Sequence, residues 1–258
     1  MAKQPFYRLQ FKATACYFEI YVNDMPLFST EVNHRISTTL PINYLILERG
    51  LQQLSVKIRP ASGETFLHEE ADFSMKVQLY DVEHSMQHIE DILEYQIPSE
   101  ADKTSHPIIE YKTSFDATVP YQIAAWQNST DLRNIPNLKE LVDDVYKKIT
   151  NYIHTKQYGK FVEMLFDKNN NRATSLYLSS KEIEKTNQEL IDDFESGFKM
   201  LPFSSDYKIL YYAHGKVIQL VTTDSEPIFR FFNEETEEEM TLDLLFHLKQ
   251  GNTELTVL

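Results

Sequence analysis

The chain has 258 residues, 42% hydrophobic and 25% charged, the balance of an ordinary soluble globular protein. At roughly 100–200 residues per domain, it holds one large domain or two modest ones. Six glycines leave almost no material for glycine-built phosphate loops, and a formal charge of −14 opposes nucleic acid and anionic membrane surfaces.

A cut after Ile135 leaves 11 basic and 18 acidic residues before it and 14 and 21 after it, so each part carries −7. The acidity is therefore spread along the chain. It fits plain solubility, and it also fits attraction to a basic protein. Cys16 is the only cysteine, which rules out an intrachain disulfide and a multi-cysteine zinc site. It sits in the strand-like run Ala15-Cys16-Tyr17-Phe18, where a buried, inert thiol is expected. The N-terminus lacks the apolar core of a signal peptide, and no run approaches the roughly 18 apolar residues of a membrane span. The expected location is the cytoplasm.

The first half reads as strands. Tyr7, Leu9 and Phe11 alternate with polar residues, and so do Phe18, Ile20 and Val22. Asn23-Asp24 offers a tight turn before Met25-Pro26-Leu27-Phe28. Leu54, Val56 and Ile58 repeat the alternation up to Pro60, as do Phe73, Met75, Val77 and Leu79, and then Phe115, Ala117 and Val119. The His84–His88 stretch and the polar loop Pro98–Pro107 interrupt the strands. Short alternating strands between turns predict an antiparallel β-sandwich over residues 1–120. The Asn-centred turn, followed by a Gly50-x-x-x-Leu54-x-Val56-x-Ile58 strand, resembles the β-sandwich modules that accompany carbohydrate enzymes. That resemblance carries over no sugar-binding residue. Residues 121–136 have no clear period and read as a connector containing Trp126, the only tryptophan.

The second half reads as helices and then a sheet. Asn137 can cap a helix in which Leu138, Leu141, Val142, Val145, Ile149 and Ile153 recur at helical spacing. A shorter helix carries Phe161, Met164 and Leu165, and the polar run Asp167–Arg172 reads as a loop. Ser179-Ser-Lys-Glu182 is a capping-box pattern opening a helix that Gly197 stops. His214-Gly215 joins strands at 207–212 and 216–221, and further strands are expected at 228–232, 242–248 and 255–258. Helices followed by an antiparallel sheet define an α+β layout over residues 137–258. That order of elements resembles the cystatin-like or nuclear-transport-factor-like cone folds, whose sheet curls around its helices and can leave a pocket.

The chemistry is more negative than positive. No Gly-x-Ser-x-Gly elbow, Walker loop or dinucleotide fingerprint is present, no catalytic set assembles, and no cofactor is implied. His84 and His88 would meet one metal if they lay four apart on a helix, but His-Glu-x-x-His is absent and a chance surface pair is the plainer reading. Asp143-Asp144 and Asp192-Asp193 are adjacent helix residues about 100° apart, so neither pair can oppose an acid to a base. Glu234, Glu235, Glu237, Glu238 and Glu239 form a solvated turn first and a site for a basic partner second. In Tyr211-Tyr212 and Phe231-Phe232, one ring must face each side of a strand.

The resulting expectation is a non-enzymatic, acidic interaction module, in the form of a bacterial-type immunity protein or antitoxin that covers a toxin. It would bind a basic protein through Asp143 and Asp144 or through the Glu234–Glu239 run. One alternative is a small-molecule or enzymatic pocket in the cone, with Tyr146, Tyr211 and His247 as its first residues. A second is a carbohydrate-binding accessory protein, which needs an exposed aromatic strip. Oligomeric state is left open.

Overall fold

Period-two alternation produces the longest element, the 18-residue strand β1 (Pro5–Val22). Its odd positions are buried up to Ala13 and its even positions from Cys16 onward. The change of parity falls at Ala15, whose φ of 47° breaks the register between Thr14 and Cys16. One extra residue therefore keeps both apolar sets on the inner side while the strand bends. The two short strands expected here are the halves of one bent strand. The computed structural model describes residues 3–97, 107–202 and 206–258, so the expected loop at 98–107 lies almost wholly outside the described residues.

The chain divides into two compact units, Met1–Ile123 and Ala124–Leu258. The fold is α+β with antiparallel sheets, strands dominating the first unit and helices opening the second. The first unit holds one six-stranded sheet of β1, β2 (Met25–Pro41), β3 (Gly50–Arg59), β4 (Asp72–Asp81), β5 (Gln87–Gln96) and β6 (Ile109–Ala117). β2 follows β1 along almost its whole length, far beyond the Met25–Phe28 segment that follows the turn. On the other side of β1, β4 pairs with residues 5–14 and β3 with residues 17–22. Each half of β1 thus founds a wing, β1-β4-β5 and β1-β3-β6. The wings face each other in sandwich fashion. Phe18 of one wing lies 5.1 Å from Phe73 and 5.2 Å from Phe11 of the other, and Tyr95 on β5 stacks on Tyr111 on β6 at 3.9 Å. Asn23 and Asp24 turn the β1–β2 hairpin with φ of 53° and 60°, the left-handed pair that a two-residue loop requires. Where β2 ends, the buried Asn43 takes over as a strand partner. It accepts from the Tyr7 N–H at 2.6 Å and donates to the Pro5 carbonyl at 2.9 Å. Cys16 is buried, and burial pushes its thiol up to about 11, so it is not a thiolate at neutral pH.

The second unit opens with α1 (Leu138–His154), α2 (Tyr158–Met164), α3 (Phe166–Leu176) and α4 (Ser180–Glu195). Two antiparallel sheets follow. One comprises β7 (Lys199–Met200), β10 (Phe229–Asn233) and β11 (Glu238–Leu242). The other comprises β8 (Tyr207–Tyr212), β9 (Val217–Thr222), β12 (Leu245–His247) and β13 (Thr256–Val257). Helices and sheets share a core built on Val142, Ile149, Phe161, Phe194, Phe229, Phe231 and Phe246.

Two expectations are corrected here. Residues 167–172 are helical, within α3, and not a loop. Their low intrinsic propensity is outweighed by context. Asp167 lies in the first turn, where the helix dipole favours it, Asn169 hydrogen-bonds Asn187 of α4, and Tyr177 in the left-handed region ends the helix. The expected strand at 242–248 is split, because β11 and β12 belong to different sheets. The capping box of α4 is present, with the Ser179 hydroxyl accepting from Glu182 N–H and the Glu182 carboxylate accepting from Ser179 N–H. Ser179→Ala is expected to cost about 1 kcal/mol, read as a lower midpoint in chemical denaturation. No helix among the described residues is long and apolar enough to cross a membrane.

Candidate interaction surface

The acidic run proposed for partner binding occupies two kinds of structure. Glu234, Glu235 and Glu237 lie in the turn after β10, whereas Glu238 and Glu239 stand on β11. All five are exposed. The turn is built on Asn233, a buried side chain whose Oδ1 accepts from the backbone N–H of Glu235 at 2.9 Å and of Thr236 at 3.3 Å. Its Nδ2 donates to the carbonyl of Ser196 at 3.2 Å. Ser196 is the residue that closes α4, so one amide ties the acidic turn to the helix end.

That helix end is itself acidic. The final turn of α4 carries Asp192, Asp193 and Glu195 and no basic residue. A helix C-terminus has its own partial negative charge, so carboxylates there are unfavourable, each by about 0.3–1 kcal/mol. Selection for stability alone would place Lys or Arg at these positions. The Asn233 joint thus gathers eight carboxylates from 192–195 and 234–239 into one region of the second unit. Two are balanced locally: Lys199 meets Glu234 at 3.0 Å and Arg230 meets Glu239 at 3.1 Å. Among the described residues, no Lys or Arg pairs with the other six within salt-bridge distance. Reading the sequence finds the run at 234–239 but not its union with α4, because the two segments are joined only by the fold.

The other acidic candidates lie apart. Asp143 is half-buried and accepts from the Tyr207 hydroxyl at 3.4 Å. Asp144 is exposed on the rim of a shallow groove of about 160 Å³ beside Lys148 and Glu254, which form an ion pair of 2.9 Å. No hydrogen bond or ion pair among the described residues connects this patch with the α4–β11 region.

The residues expected to begin a pocket do not converge. Tyr146 is buried and stacks on Phe229 at 5.4 Å, and burial raises its hydroxyl pKa. Tyr211 is 41% exposed on β8. His247 is 1% exposed on β12. Leu, Ile, Val, Phe and Tyr side chains form the core that the helices and sheets share.

His247 does have a serine partner that its sequence neighbourhood does not reveal. Ser129 Oγ lies 2.7 Å from its Nδ1, the separation of a nucleophile and its base. Ser129 is also buried, and among the described residues Nε2 has no hydrogen-bond partner where an orienting carboxylate would be needed. Burial, and secondarily the charge of Lys249, lowers the imidazole to about 4 against the opposing pull of Asp167. The neutral ring therefore serves as a pin. Beside it, Ser129 bridges Lys249, and Thr130 N–H donates to the Leu248 carbonyl at 2.9 Å.

His84 and His88 do not share a helix. His84 lies in a turn with Nδ1 2.8 Å from Asp81, and His88 stands on β5 with Nε2 2.9 Å from Asp91. The helical spacing that would aim both rings at one ion is absent, and no group of three metal-ligating side chains occurs among the described residues. Among the described aromatic side chains of the first unit, Phe66 is the one that is fully in the exposed class. Among the described residues of the first unit, the exposed large apolar side chains are Leu51, Phe66, Ile89 and Ile108. No protein-family model, curated protein or solved structure matches this chain.

Proposed function

We propose that this chain is an acidic binding protein whose α4–β11 face receives a basic protein, in the manner of an immunity-type inhibitor acting in the cytoplasm. One observation carries the reading. Carboxylates are concentrated at a helix C-terminus, against the helix dipole, and a buried asparagine holds the acidic turn beside them. The apolar core of aliphatic and aromatic side chains supports binding at the surface over chemistry in a hollow. The overall charge of −14 speaks for a cationic protein partner and against nucleic acid.

The test is affinity capture with the wild-type chain and with a Glu235→Lys, Glu237→Lys, Glu238→Lys variant. A stoichiometric basic protein retained by the wild type should bind the variant about 10- to 100-fold more weakly, with a reduced on-rate and a flatter salt dependence. Equal capture by both chains, or capture independent of salt, would remove this face as the site.

A further inference from the structure

The six-stranded sheet ends in three strands whose outer edges pair with no described strand: β2, β5 and β6. Free edges invite strand addition, and proteins blunt them with prolines, bulges and short lengths. β2 has Pro26 and Pro41 and two breaks of register against β1. β5 has two breaks against β4, at which Ile92 and Ile89 are extra residues without a partner. β6 has neither device. It pairs with β3 through nine consecutive residues, Ile58↔Ile109 to Gly50↔Ala117, without a break or a proline.

Its side chains also fix what can be added. Glu110, Lys112, Ser114 and Asp116 are exposed on the outer face, whereas Ile109, Tyr111, Thr113, Phe115 and Ala117 turn toward the facing wing. An antiparallel pairing of β6 with itself must centre on a residue, because a slip by one would set inner side chains against outer ones. Centred on Lys112 it opposes that lysine to itself. Centred on Thr113 it opposes Glu110 to Asp116. Centred on Tyr111 it uses only five residues of the strand, and Glu110 already pairs within its own chain, 3.7 Å from Lys57 and 3.6 Å from Lys112, the latter a long, exposed contact that Lys112 would exchange for Asp116. Centred on Ser114 it pairs residues 111–117 and sets Lys112 of each copy opposite Asp116 of the other. Asp116 is exposed and has no ion pair among the described residues.

We infer that the β6 edge is a self-association site, at which two copies of this chain join their sheets antiparallel about Ser114, fixed by reciprocal Lys112–Asp116 pairs. The edge strand β8 in the second unit offers no such register, since Lys208 is its only charged residue. The inference is independent of the acidic face on α4 and β11.

The test is sedimentation of the full chain over a range of concentrations at about 0.15 M salt, where screening over about 8 Å limits repulsion between two acidic molecules. Wild type should dimerise. Lys112→Glu alone and Asp116→Lys alone should each weaken the dimer about tenfold or more, because like charges then face each other. Both sites are exposed, so folding should be unaffected, as circular dichroism will show. The double variant should recover the wild-type affinity, and a mixture of the two single variants should form the mixed dimer. A wild-type chain that remains monomeric at about 1 mM overturns the inference. So does a dimer that either single substitution leaves unchanged, or one that the double variant and the mixture fail to restore.

Discussion

Acidification from pH 6.5 to pH 4 is expected to remove about 3 kcal/mol of stability through His247 alone. The ring is neutral when folded, because burial and Lys249 hold its pKa near 4, whereas in the unfolded chain it titrates near 6.5. Between those values the unfolded state binds the extra proton. The contribution is therefore complete above pH 6.5, declines as pH falls, and is exhausted near pH 4. Protonation would make both ring nitrogens obligatory donors, Nδ1 toward Ser129 and Nε2 with no acceptor among the described residues. Denaturation midpoints across this range, compared with those of His247→Gln, isolate the effect from the carboxylates. A variant with the same pH slope as the wild type would refute it.

Phe18→Ala should cost about 3–5 kcal/mol. Phe18 has no exposed surface and lies within 5.2 Å of Phe11 and of Phe73, and 6.0 Å from Phe28. Its removal opens a void at the centre of both wings, where β1, β2 and β4 meet. Phe66→Ala is the control, because that ring is half-exposed and its loss should change stability by about 0.5 kcal/mol or less. Urea titration followed by circular dichroism measures both, and similar losses would mean that Phe18 does not anchor the two wings.

Local signals were legible in the sequence wherever the backbone decides the outcome within a few residues. Asn23-Asp24, the Ser179–Glu182 box and Gly197 each act through their own dihedral angles or hydrogen bonds, and each stands where its chemistry implies. The alternation of β1 was visible on both sides of Ala15. Its continuity was not, because a bulge reads in sequence as an interruption. The outer part of β2 and the polar helix α3 were hidden for a related reason: their neighbours hold them in place, not their own periodicity. The candidate surface shows the same division. The glutamate run could be read directly. The helix end beside it, and the serine 118 positions from His247, are brought close only by the folded chain.

The amide of Asn233 fixes the acidic turn before any partner arrives. A turn of glutamates free to wander would have to be ordered at the moment of contact, at the expense of affinity. Here the backbone of Glu235 and Thr236 is already fixed to the side chain that holds the end of α4. The acidic face is therefore preorganised, offering an incoming cationic surface a template of set outline in which only the glutamate side chains remain to be immobilised.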